Sequence, residues 1–152
     1  MIHDFDIENL DSITEVLGVK PKVTGKVRRF EVKSENKENR LALEILHGLE
    51  FEDTQTNIVS VYAHNVFLQL HNCTRFIASK TLQQITFFGK IGGQTTGLIV
   101  GKDGSCSLYA NVNDELLNGD FTKLPPEIMM CSVALSLTEA IDFEGFTFDD
   151  ES

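Results

Sequence analysis

The sequence predicts an α+β domain: a short N-terminal helix, an antiparallel, curled sheet of six to seven strands, and a C-terminal helix packed on that sheet. Runs rich in β-branched and aromatic residues succeed one another from residue 23 to residue 112, divided by turn signals. Helical periodicity is confined to one segment at each end of the chain. Between them no strand–helix–strand alternation occurs, so the strands lack the crossovers that parallel pairing requires.

The first helix is expected over residues 6–17. Ile7, Leu10, Ile13 and Leu17 fall on one side, acids fill the first turn, and Gly18 stands where a helix-terminating glycine belongs. Residues 23–32 read as a strand rich in β-branched and charged residues, and residues 34–39 as a polar connector. Residues 41–51 carry two signals. Leu41, Leu43, Ile45, His47, Leu49 and Phe51 alternate as a strand does, while Leu-Ala-Leu-Glu-Ile-Leu before His47-Gly48 contains good helix formers. The alternation favours a strand, in a hairpin with 23–32. Residues 57–63 and 66–78 are two further extended runs, with Asn65 as a turn or bulge between them. Residues 85–91 form another strand. Residues 95–100 and 105–112 flank Gly101-Lys102-Asp103-Gly104, the strongest hairpin signal in the chain. After a polar loop at 113–123, Pro125-Pro126-Glu127 opens the closing helix, which runs to about Ile141. The tail 142–152 alternates acids with Phe143, Phe146 and Phe148.

At 152 residues the chain is expected to form a single domain, 1–152, with 11 Phe to fill its core. The opening residues lack a basic segment and an apolar run, and no apolar stretch approaches the roughly 20 residues that span a bilayer. A soluble, cytoplasmic protein without a membrane partner is the expectation. Cys73, Cys106 and Cys131 are an odd number and form no CxxC pair, which argues against a disulfide framework and a closed zinc site. Asn72-Cys73-Thr74 matches a glycosylation sequon by chance in such a compartment. The net charge of −10 repels nucleic acid from the chain as a whole. Against that background, Lys20, Lys22, Lys26, Arg28, Arg29, Lys33, Lys37 and Arg40 concentrate positive charge between 20 and 40.

Each chemical signal has a plainer counterpart. The glycines at 89, 92, 93, 97 and 101 lack the spacing of a phosphate-binding loop and suit turns between strands. His64, His71 and Cys73 pair imidazole with thiol, as zinc or a Cys–His nucleophile would require, but without a fourth ligand or a recognised spacing. A buried, inert Cys73 is the better reading. Arg75 reads as an outward strand residue, with anion binding as the rival. The 20–40 stretch reads as a solvated hairpin paired with the acidic helix or the acidic tail, and Arg28 and Arg29 are its candidate partner-binding residues. Phe143, Phe146 and Phe148 either dock on the same chain or form a linear segment for a partner, and docking at home is favoured because exposed Phe is costly.

The stretch Thr96-Gly97-Leu98, Asp103-Gly104 and Leu108, followed by a polar loop and a closing amphipathic helix, resembles the second half of small acidic secretion chaperones. The likeness covers under half of the chain, and the N-terminal half does not follow that pattern.

No Ser–His–Asp arrangement, paired carboxylates or metal-ligand signature is present in the sequence, so no catalytic, metal or cofactor residues are assigned. The expectation is a small acidic protein-interaction module: an accessory factor, dedicated chaperone or immunity-type inhibitor of a basic partner, compatible with homo-oligomer formation. The rivals are a small-molecule binder or enzyme with Phe residues lining a pocket on the concave sheet face, and a nucleic-acid module acting through residues 20–40.

Overall fold

The computed structural model describes residues 2–34, 39–63, 66–91, 94–109, 112 and 123–130, without the side chains of 51 and 91. Ten strands and a helix follow in the order β1 (His3–Asp4), α1 (Ile7–Leu17), β2 (Lys22–Thr24), β3 (Val27–Lys33), β4 (Arg40–Phe51), β5 (Thr54–Ala63), β6 (Val66–Leu70), β7 (Arg75–Ser79), β8 (Gln84–Ile91), β9 (Gln94–Gly101) and β10 (Cys106–Tyr109). Residues 126–130 are helical. Every pairing is antiparallel. The strands form two five-stranded sheets in place of the expected single sheet. Sheet I is the uninterrupted meander β2-β3-β4-β5-β6, and sheet II has the order β1-β7-β8-β9-β10.

The second sheet arises inside the run 66–78, which composition alone leaves whole. The chain leaves sheet I after Leu70, turns through Asn72 at φ 53°, and enters sheet II at Arg75. At this crossing the Cys73 N–H donates to Asn57 O (3.1 Å) and the Thr74 N–H to Phe88 O (3.2 Å). The Asn57 amide donates to Cys73 O (2.8 Å) and accepts from the Gly48 N–H (2.9 Å), so one side chain holds β4, β5 and the crossing together. Residues 23–32 also divide, into β2 and β3, about a turn at Gly25-Lys26. The helix alternative for 41–51 is excluded: the segment is strand throughout, with a register shift between Leu46 and Leu49.

α1 follows its sequence closely. The Asp6 carboxylate caps it by accepting from the Asn9 N–H (3.0 Å), and Gly18 ends it in the left-handed region at φ 69°. It lies on β7 and β8. Its buried Leu10, Ile13, Val16 and Leu17 join the inner faces of both sheets in one core, with Phe30, Leu43, Ile45, Val59 and Val61 from sheet I and Phe76, Ile85, Phe87, Leu98 and Val100 from sheet II. The outer face of sheet II is covered as well. Ile77 and Phe88 pack there with Val112, Met129 and Met130, and the Ser79 hydroxyl donates to the Glu127 carboxylate (3.0 Å). No described helix is long and apolar enough to cross a membrane.

β4 and β5 outrun their neighbours. The last β3 pairing is Val27 with Leu46 and the last β6 pairing is Leu70 with Val59, so residues 49–56 pair only with each other. This two-stranded finger turns at Glu52 and Asp53, both with positive φ, and Glu50 beside them is exposed.

Among the described glycines the closest approach to backbone lies at Gly89, where a Cβ would sit 2.5 Å from the His71 carbonyl oxygen and 2.8 Å from Leu70 Cγ. Backbone cannot yield as a flexible side chain does, so Gly89→Ala is expected to cost about 1–3 kcal/mol, or several degrees of Tm in a chain of this size. At Gly97 a Cβ would come no closer than 3.4 Å to a neighbour, Val112 Cγ2, and Gly97→Ala is expected to cost less. Thermal unfolding of the two variants measures the difference. Equal Tm values would show that the crossing has room to relax.

Candidate functional site

Register sorts the outward side chains of sheet I into rows. Thr24, Val27, Leu46 and Ile58 form the first, and Lys22, Arg29, Glu44, Ser60 and Gln69 the second. Glu31, Ala42, Tyr62 and Phe67 form the third, and Lys33 and Arg40 the fourth. The face thus carries an apolar band, a polar band, an aromatic band and a basic margin. Unlike the outer face of sheet II, it has no described element packed over it: Tyr62 is 42% and Phe67 55% exposed.

The centre of the face is ordered by its own contacts. The Tyr62 and Phe67 rings lie 4.9 Å apart at 33°, side by side on paired strands. The Arg29 guanidinium sits 5.9 Å from the Tyr62 centroid and makes a 2.8 Å ion pair with Glu44 and a longer one, 3.8 Å, with Glu31. Partial desolvation, then the Glu44 carboxylate beside it, pushes the Tyr62 phenol above its ordinary value. The Gln69 amide donates to the Ser60 hydroxyl (3.2 Å). Toward the basic margin a groove of about 320 Å³ opens between Arg29, Glu31, Lys33, Arg40, Ala42 and Tyr62. A planar cation, two ring faces and a flanking pair of cations suit an extended segment that carries both aromatic and acidic groups.

Of the residues singled out in the sequence, Arg28 and Arg29 separate. Successive strand residues point to opposite faces, and Arg28 shares the core-side row with Val23 and Ile45 while Arg29 faces outward. Phe143, Phe146, Phe148, His64, Cys131 and Lys37 lie outside the described residues, as does the closing helix beyond 130. Among the described residues the acidic helix makes its ion pair outside 20–40, Glu15 with Lys80 at 3.0 Å. Arg75 lies 3.8 Å from Asp4. Among the described residues no three His, Cys, Asp or Glu side chains converge to hold a metal. His71 is exposed beside Gln69 (2.6 Å), whereas Cys73 is 1% exposed, its thiol directed at Leu70 O (3.5 Å). Phe5, Phe76 and Phe87 pack ring against ring in the core. Tyr62 and Phe67 were not singled out, although a two-residue connection at 64–65 opposes them directly.

No protein-family model, curated protein or solved structure matches this chain.

Burial pushes the Cys73 thiol up to about 12. At pH 8 only about one molecule in ten thousand then carries the reactive thiolate. Iodoacetamide followed by peptide mass mapping is expected to leave Cys73 unmodified in the native protein and to modify the half-buried Cys106 sooner. Native-state alkylation of Cys73 at the rate of Cys106 would contradict an inert thiol.

Proposed function

We propose that the protein is an interaction module that presents the outer face of sheet I to another protein, within the class of accessory factors, dedicated chaperones and immunity-type inhibitors. One observation carries this reading: the two outer faces of the fold differ, one lying under residues 126–130 and the other bearing an exposed Tyr62–Phe67 pair, braced by Arg29, with no described element over it. Tyr and Arg are the residues most enriched where interfaces concentrate their energy, and an aromatic pair held by a rigid sheet loses little freedom on binding.

The chain-wide charge of −10 predicts a basic partner. The charge of the face points the other way, since Lys22, Arg29, Lys33 and Arg40 stand against Glu31 and Glu44, a balance of +2. An acidic segment bearing aromatic residues fits it best.

Replacing Tyr62 and Phe67 together with Ser tests the reading, because both side chains are exposed and their loss leaves the core intact. The expected result is an unchanged fold, with partner affinity weakened at least about thirtyfold, the scale of a hot spot worth about 2 kcal/mol. Affinity capture from nuclease-treated extract, with cross-links mapped to β5 and β6, measures it. Undiminished capture by the double variant would sink the proposal. So would binding that nuclease abolishes and a single-stranded oligonucleotide restores, in favour of the nucleic-acid alternative.

A further inference from the structure

We propose that the outer face of sheet I has a resident occupant, the chain's own acidic segment 142–152. The proposal rests on the reading of that face as a docking surface and names what lies on it when no partner does.

Charge complementarity comes first. The face carries Lys22, Arg29, Lys33 and Arg40 against Glu31 and Glu44. The segment carries Asp142, Glu144, Asp149, Asp150 and Glu151 and no Lys or Arg. In a chain of net charge −10, this face is a place where so acidic a segment meets attraction instead of repulsion. A second copy laid face to face would instead bring two surfaces of net +2 together.

Apolar chemistry agrees. Phe143, Phe146 and Phe148 need a surface, and an eleven-residue segment has no room to bury them within itself. In an extended chain Phe146 and Phe148 lie on one side, about 7 Å apart, which is also the spacing of successive same-face rows in a sheet. The aromatic row of Tyr62 and Phe67 offers ring faces to one of them, while the aliphatic row of Val27, Leu46 and Ile58 lies two rows, about 14 Å, away and beyond that spacing.

Reach is sufficient for an extended link. The described chain is last seen at Met130, buried on the outer face of sheet II. Residues 131–142 span up to about 40 Å when extended, at roughly 3.3 Å per residue. They span only about 17 Å if 131–141 continue the expected closing helix at roughly 1.5 Å per residue, so the reach requires that helix to end well before Ile141. Packed sheets lie about 10 Å apart, so the extended length clears the edge of the sandwich. A tether of this kind holds the segment near the face at an effective concentration of about a millimolar, so a modest affinity keeps the face occupied.

The full-length protein with Phe146 replaced by the photocross-linker p-benzoylphenylalanine tests the inference, since one change in the tail leaves the sheets untouched. Irradiation is expected to join position 146 to β5 or β6 within one chain, at a yield unchanged over a hundredfold dilution. That yield should fall at least tenfold in 1 M NaCl or with Arg29→Glu and Phe67→Ser. A synthetic peptide of residues 142–152 is expected to bind the full-length triple variant Phe143→Ser, Phe146→Ser, Phe148→Ser at least tenfold more tightly than the native chain, whose face is taken. Cross-links to sheet II or α1, their absence, or a dilution-sensitive product between two chains would each overturn the proposal. If the tail fails these tests while Tyr62 and Phe67 still govern partner capture, the interaction reading stands alone. Failure of both removes the face from consideration.

Discussion

The fold depends on how closely two sheets can approach where one strand hands the chain to the next. Between Leu70 and Arg75 the backbone passes from sheet I to sheet II, and β8 admits it only because residue 89 has no side chain. The Lys90 N–H donates to His71 O (3.2 Å) at the same point. Buried amides must find partners, and here the crossing through residues 71–74 finds its own in β5 and β8. The inner faces can then close on α1 as one core.

That constraint explains which parts of the molecule could be read in advance. α1 was legible because its cap, apolar spacing and terminating glycine are local signals that agree with one another. The β9–β10 hairpin was legible for the same reason, its Asp103 carboxylate accepting from the Ser105 N–H (3.1 Å) within the turn. The division into two sheets was not. Val66 to Ala78 has the composition of a single long strand, and the information that breaks it lies at Asn57 and Gly89, remote in sequence. Arg28 and Arg29 show the same limit at a site. Adjacent letters suggest one basic spot, while the pleat sends them to opposite faces, and the partners Arg29 acquires, Glu44 and Tyr62, follow from register.

The candidate face is a product of that register. Neither the polar row nor the aromatic row exists in any one strand; each is assembled across β3, β4, β5 and β6. Sheet II does the same with apolar residues and is covered by residues 126–130. The two sheets thus use identical pairing for different ends, and the difference lies only in which side chains the alternation sends outward.

The finger at residues 49–56 follows a different logic. No described strand lies beside it, and the bulge at its base is fastened from both sides, by the Lys26 ammonium donating to Gly48 O (2.9 Å) and by Asn57. A ribbon of two strands has little stability of its own. Its amides are therefore expected to exchange with solvent faster than those of the five-stranded sheet behind it, through openings that stop at the bulge. The molecule separates a cheaply opened outpost from its cooperative interior at Gly48. Glu50, Glu52 and Asp53 gather three exposed carboxylates at the outpost's tip, a charge that disfavours edge-to-edge pairing with a second copy.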